Sequence, residues 1–323
     1  YSRFDQVPAT SEVRRYVGLW KGPCLRDAGR LPEARTVFAA AFTEAGDTPL
    51  AAEIMFHRAQ LEAMDNKNDV AAQMYLDLTA RWPQDVKVPV SLFNAAELHM
   101  ESQQLDAAQG VLNQLETDFP ERSKSAAVMV LRGRLLLNQG KTDDSVTTLR
   151  AAVAIEEGSS QEKLAGNYHL IRALHRAKKY DEAIAIYEPL QQEFSRPEAS
   201  NYSGAVSLAA ISSLELKKYA QAWQYADAFL QLESQPEKLP DALATRAVAA
   251  SHLNEFDKAK VDLERLTKDF PRNSQTWMAV LQSAEAAWQQ ENYAQSAGLF
   301  ELAAQHDDKR DLEAALSGAG WSY

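Results

Sequence analysis

The 323-residue sequence has a single cysteine, Cys24, only 12 prolines and 13 glycines, and no long apolar run. One cysteine excludes an internal disulfide and any zinc site built from several thiolates. Glycine and proline together fall well short of their usual share of about 12%, so the tight turns that a sandwich or barrel demands are scarce. No apolar stretch approaches the ~20 residues that span a bilayer, and Ala126 to Leu131 is typical of the longest pieces. Direct membrane insertion of this segment is therefore not expected. Positive charge is also in deficit: 34 Lys and Arg face 45 Asp and Glu, a net charge of −11. An acidic surface repels phosphate backbones, so nucleic acid is not an expected partner.

Catalytic patterns are equally sparse. Gly140-Lys141-Thr142 matches the end of a nucleotide-binding loop, but the position that loop reserves for its first glycine is Leu135. The triplet reads better as a turn between helices. His169 and His175 are six apart and miss the i, i+4 spacing of a helical zinc pair. Cys24, beside Pro23, has no local histidine and reads as a small packed side chain. Asn201-Tyr202-Ser203 is a glycosylation triplet of a length that recurs by chance. No catalytic, cofactor-binding or metal site is expected, and the chain does not read as an enzyme.

What the sequence does have is 46% hydrophobic residues, arranged in a repeat. A small residue recurs at Ala34, Ala71, Ala108, Ser145, Ala183, Ala222, Ala259 and Ser296, at intervals of 37 to 39 residues. Other columns keep its register. Four after this anchor stand Phe38, Tyr75, Leu112, Leu149, Tyr187, Ala226, Leu263 and Phe300. Twelve before it stand Gly22, Ala59, Ala96, Gly133, Ile171, Ala210, Ala247 and Ala284. Five before it stand Gly29, Asn66, Gln103, Gly140, Lys178, Lys217, Asn254 and Glu291, where the glycines and asparagines suit a left-handed turn. Pro83, Pro120 and Pro271 fall twelve after their anchors and mark the end of a helix.

These columns predict a helical hairpin. Anchor and anchor plus four share a helix face, and small residues where two helices cross let the axes approach closely. Each unit is helix, turn, helix, loop, and stacked units bury one another's apolar faces. Seventeen helices and no sheet are expected. Three before the anchor, Tyr180, Tyr219, Phe256 and Tyr293 are expected between the helices of their hairpins. Pro23 should kink or end the first helix of repeat one, and Pro189 should bend the second helix of repeat five.

The small anchor, the preceding aromatic and the terminal proline resemble the tetratricopeptide repeat family over nearly the whole chain. The resemblance implies an all-α fold, a right-handed α-solenoid of about eight repeats and one superhelix over 1–323. Soft junctions are expected near 156–163, 195–202 and 234–241. A truncated ninth repeat over 310–323 would cap repeat eight, and the natural chain is expected to continue beyond it. The period is longer than the usual 34 residues. The surplus falls between the terminal proline and the next helix, as in Gln84 to Val88. In this it is similar to tetratricopeptide proteins of bacterial envelopes that serve outer-membrane assembly or associate with Tol-Pal, with Leu115 to Ser123 as a representative stretch.

The resemblance implies a non-enzymatic scaffold for other proteins or peptides, periplasmic or associated with the cell envelope. The alternatives are a regulatory or targeting segment of a larger protein, or a cytosolic adaptor. In the family, the first helix of each hairpin lines the concave side. In repeats two to five the stripe fifteen, eleven and eight before the anchor there holds Phe56, Gln60, Phe93, Glu97, Arg134, Tyr168, Arg172 and His175. Either these form a peptide groove, with partly exposed aromatics beside charges, or Phe56, Phe93 and Tyr168 pack between helices. The cationic set that grips chaperone tails is missing, since Leu19, Pro23, Phe56 and Phe93 occupy the matching positions.

Overall fold

The computed structural model describes residues 2–8, 12–304, 317–318 and 320–322. Among them the chain forms nineteen α-helices, four short 3-10 helices and no strand. It divides into two compact units, 1–155 and 156–323. Each unit is a row of helical hairpins.

In the first unit the hairpins pair Val17–Asp27 with Leu31–Ala45, Pro49–Met64 with Asn68–Arg81, Val88–Glu101 with Leu105–Asp118, and Ala126–Asn138 with Thr142–Val153. In the second unit they pair Ser160–Arg176 with Tyr180–Tyr187, Gly204–Glu215 with Tyr219–Leu232, Pro240–His252 with Phe256–Asp269, and Ser274–Gln289 with Tyr293–Ala303. Three helices exceed the sixteen that the eight hairpins require. They are the short Ser2–Asp5, Pro120–Ser123 and Gln191–Phe194. The last exists because Pro189 breaks its helix, which passes through the 3-10 turn Glu188–Leu190. The ninth repeat lies largely outside the described residues.

The crossing columns form the core. All eight anchors are buried, and so are all eight residues four positions later. The column twelve before the anchor is buried throughout and is glycine or alanine in seven repeats. Where the anchor is serine, its hydroxyl donates to the carbonyl of that earlier column: Ser145 to Gly133 at 2.7 Å, and Ser296 to Ala284 at 3.0 Å. At these two crossings the buried hydroxyl is therefore satisfied.

The turn repeats as faithfully. All eight residues five before the anchor have positive φ, from 57° at Asn66 to 79° at Gly140. The next amide reaches back five residues to a carbonyl of the first helix in every repeat, as in Lys67 to Glu62 and Lys179 to Leu174, both 2.9 Å. This is the 6→1 bond that closes a helix end. Gln103, Lys178, Lys217 and Glu291 adopt the same left-handed conformation without a residue suited to it. The geometry of the hairpin overrides local preference.

Several side chains depart from expectation. Only Phe256 among the four aromatics is buried; Tyr180 and Tyr219 are half-buried and Tyr293 is 46% exposed. They occupy the first position of the second helix, where the side chain leans back over the turn. There Tyr180 meets His175 and Tyr219 stacks on His252, with centroids 5.4 and 4.0 Å apart. Pro23 does not end its helix, which continues from Val17 to Asp27. Cys24 is exposed rather than packed, because that helix buries Val17, Gly22 and Leu25 on another face.

The turns yield a direct test. Gly140→Ala should destabilise the protein by about 1 kcal/mol, since a Cβ is disfavoured at positive φ. Gln103→Gly should raise the unfolding midpoint slightly, on the order of 0.5 kcal/mol, after the loss of chain stiffness is offset. Urea unfolding followed by circular dichroism reads both signs.

Candidate functional site

The eight stripe residues fall into two groups, five in the first unit and three in the second. Phe56 is the clear correction to a groove role. It is only 8% exposed, lies edge-on to Tyr75 at 5.5 Å, and is covered by the Lys87 ammonium 4.9 Å from its ring. The adjacent helix Asn68–Arg81 supplies a large aromatic where the stripe would need open space, and Phe56 fills the hollow beneath it. Phe93 is half-buried against the same core.

Gln60 and Glu97 do reach a cavity. It measures about 390 Å³ and is lined by Arg26, Asp27, Gln60, Met64, Tyr75, Asn94, Glu97 and Glu101, among others. Arg26 stands eight before its anchor, in a repeat whose Pro23 hid it from the stripe. Its guanidinium donates to Gln60 at 2.6 Å and to Asp27 at 2.8 Å. Arg134 pairs with Glu97 at 2.8 Å, and the Asn68 amide donates to Glu101 at 3.0 Å. Tyr75 forms the floor, where burial pushes its phenol up to about 12 while a bond to Asn94 acts in the opposite direction. The cavity's polar groups are therefore largely bonded to one another.

In the second unit Tyr168 and Arg172 line a cavity of about 410 Å³. His175 does not share it. Its Nδ1 lies 3.0 Å from the Ser212 hydroxyl, and burial lowers its pKa below the usual value. The other walls come from the following two repeats and include Asn201, Ser207, Leu208, Ile211, Phe229, Glu237 and Asp241. Ser207 and Ile211 stand fifteen and eleven before Ala222, so the same columns that gave Tyr168 and Arg172 could have found them. Glu237 lies in the 3-10 turn Pro236–Lys238, where no periodicity points to it.

No described helix is long and apolar enough to cross a membrane, and no cluster of potential metal ligands occurs among the described residues.

The two readings of the stripe separate in one measurement. Phe56→Ala should cost about 3–5 kcal/mol, as a buried aromatic does. Arg172→Ala, at a half-exposed position without an ion pair, should change the melting temperature little. Equal losses would mean that Arg172 is structural.

Comparison with known proteins accords with this architecture. The tetratricopeptide repeat family profile matches residues 21–86, 93–162 and 130–196, together more than half of the chain. No curated protein sequence matches it. Among solved structures, PilF of Pseudomonas aeruginosa aligns with a TM-score of 0.57 at 15% identity, covering 70% of this chain and 94% of that one. PilW, described as a widely conserved type IV pilus biogenesis factor, gives 0.58 at 16%, covering 71% and 98%. The C-terminal part of a repeat protein from Cytophaga hutchinsonii gives 0.55 at 15%, covering 80% and 98%. At these identities the likeness is one of fold. With the hairpins, the crossing columns and the profile in agreement, the chain belongs to the tetratricopeptide repeat family.

Proposed function

We propose that this protein is a non-enzymatic scaffold that holds peptide segments of other proteins against the first-helix faces of its hairpins. One observation carries the reading. Each unit has a cavity of about 400 Å³ whose walls draw on the same sequence columns, Gln60 and Glu97 in one and Tyr168 and Arg172 in the other. A face that combines an apolar floor with a few polar groups suits side-chain recognition. The setting we favour is a bacterial envelope assembly in the periplasm. The long repeat period supports it, as does the shared fold with PilF and PilW, the latter described as a pilus biogenesis factor.

Photo-crosslinking with benzoylphenylalanine tests the reading. The residue is placed at Glu101 or Ser207, which line the cavities, and at Val261, a second-helix residue 64% exposed. In a bacterial envelope extract, adducts should form at 101 or 207 and not at 261. Adducts at Val261 alone would transfer the binding role to the second-helix face.

A further inference from the structure

The cavities differ in how their charges are used. In the first unit Arg26, Glu97 and Glu101 each have a protein partner. In the second unit Arg172 makes no ion pair among the described residues, and its guanidinium carbon lies 5.9 Å from the Tyr168 ring centre. Asp241 and Glu237 form no ion pair among the described residues either, and Lys238, which lines the same cavity, is held by Glu233 at 3.2 Å. Desolvation raises the Asp241 carboxyl from its ordinary value, and a cation beside it would oppose that shift. Opposite charges thus line one cavity and are not spent on each other.

Their placement is ordered. Arg172 and Tyr168 belong to repeat five, Leu208 and Ile211 to repeat six, and Glu237 and Asp241 to the start of repeat seven. The Tyr168 ring is held by Tyr202 at 5.6 Å, and a Cβ on Gly204 would come within 3.3 Å of its hydroxyl. The ring beside Arg172 is therefore held in place, which lowers the entropy lost on binding. A lone anion would meet two carboxylates at the far end, and a lone cation would meet Arg172.

We propose that this cavity recognises an extended peptide bearing an acidic and a basic group on either side of an apolar side chain. The acid is taken at Arg172 and Tyr168, the apolar group at Leu208 and Ile211, and the base at Glu237 and Asp241. The inference rests on the reading of this face as a peptide groove and specifies what that groove selects. A segment of about nine residues, at ~3.3 Å each, is long enough to cross three repeats.

The test uses the full chain and a phage-displayed library of random nonapeptides. Selection should enrich peptides with an acid and a base flanking an apolar residue. A winning peptide, labelled and titrated by fluorescence anisotropy, should bind Arg172→Gln about tenfold more weakly, as lost charge pairs at interfaces do. With its acid replaced by glutamine, that peptide should lose nothing further from the substitution. Asp241→Asn should remove the preference for the base and leave that for the acid. Circular dichroism checks that each variant is folded. Enrichment of apolar peptides without the flanking charges, with binding lost on Ile211→Arg, would overturn this inference and keep the groove. Enrichment of nothing, or binding untouched by all three substitutions, would overturn both.

Discussion

Close approach of two helices at a small residue is the constraint on which this structure depends. A hairpin can bury its apolar face only if its axes lie near one another, and bulk at the crossing opposes that, Ile171 of repeat five being the one large residue in the column twelve before the anchor. At Gly133 a Cβ would sit 2.5 Å from Leu149, and at Gly22 it would sit 2.3 Å from the Phe38 ring. The large residue four after the anchor thus occupies space vacated twelve before it. Because the crossing fixes the turn, it also forces Gln103, Lys178, Lys217 and Glu291 into a left-handed backbone.

A second set of contacts ties repeats two, four and seven to the repeats before them, using arginines thirteen before the anchor. Arg58 lies over the Phe42 ring at 4.9 Å, Arg132 approaches Glu116 to 2.9 Å, and Arg246 pairs with Asp227. In all three cases the first helix of one repeat reaches the second helix of the repeat before it. Arg246 also grips Asp262 through two bonds of 2.7 and 2.8 Å.

The hairpins were legible in the sequence because one physical event, the crossing, leaves a mark every 37 to 39 residues. The site was less legible, because the stripe columns say which face a residue occupies and not how deep it sits. Phe56 and Tyr168 share a column, yet Phe56 is buried against Tyr75, while Tyr168, packed on Tyr202, stays half-buried on a cavity wall. Arg26 was hidden by Pro23, which its helix accommodates. Glu237 and Asp241 enter the second cavity from a connecting segment and the helix start behind it, where no period applies.

A double-mutant cycle on Gly133 and Leu149 tests the crossing most directly. Gly133→Ala should destabilise the protein by about 1–3 kcal/mol through overpacking. Leu149→Ala alone should cost about 2–5 kcal/mol by leaving a cavity. In the double variant the new methyl enters the space that Leu149 vacates, so the loss should fall short of the sum by about 1 kcal/mol or more. Strict additivity in urea unfolding would show that the two columns do not share that space, and the crossing would lose its place as the organising contact.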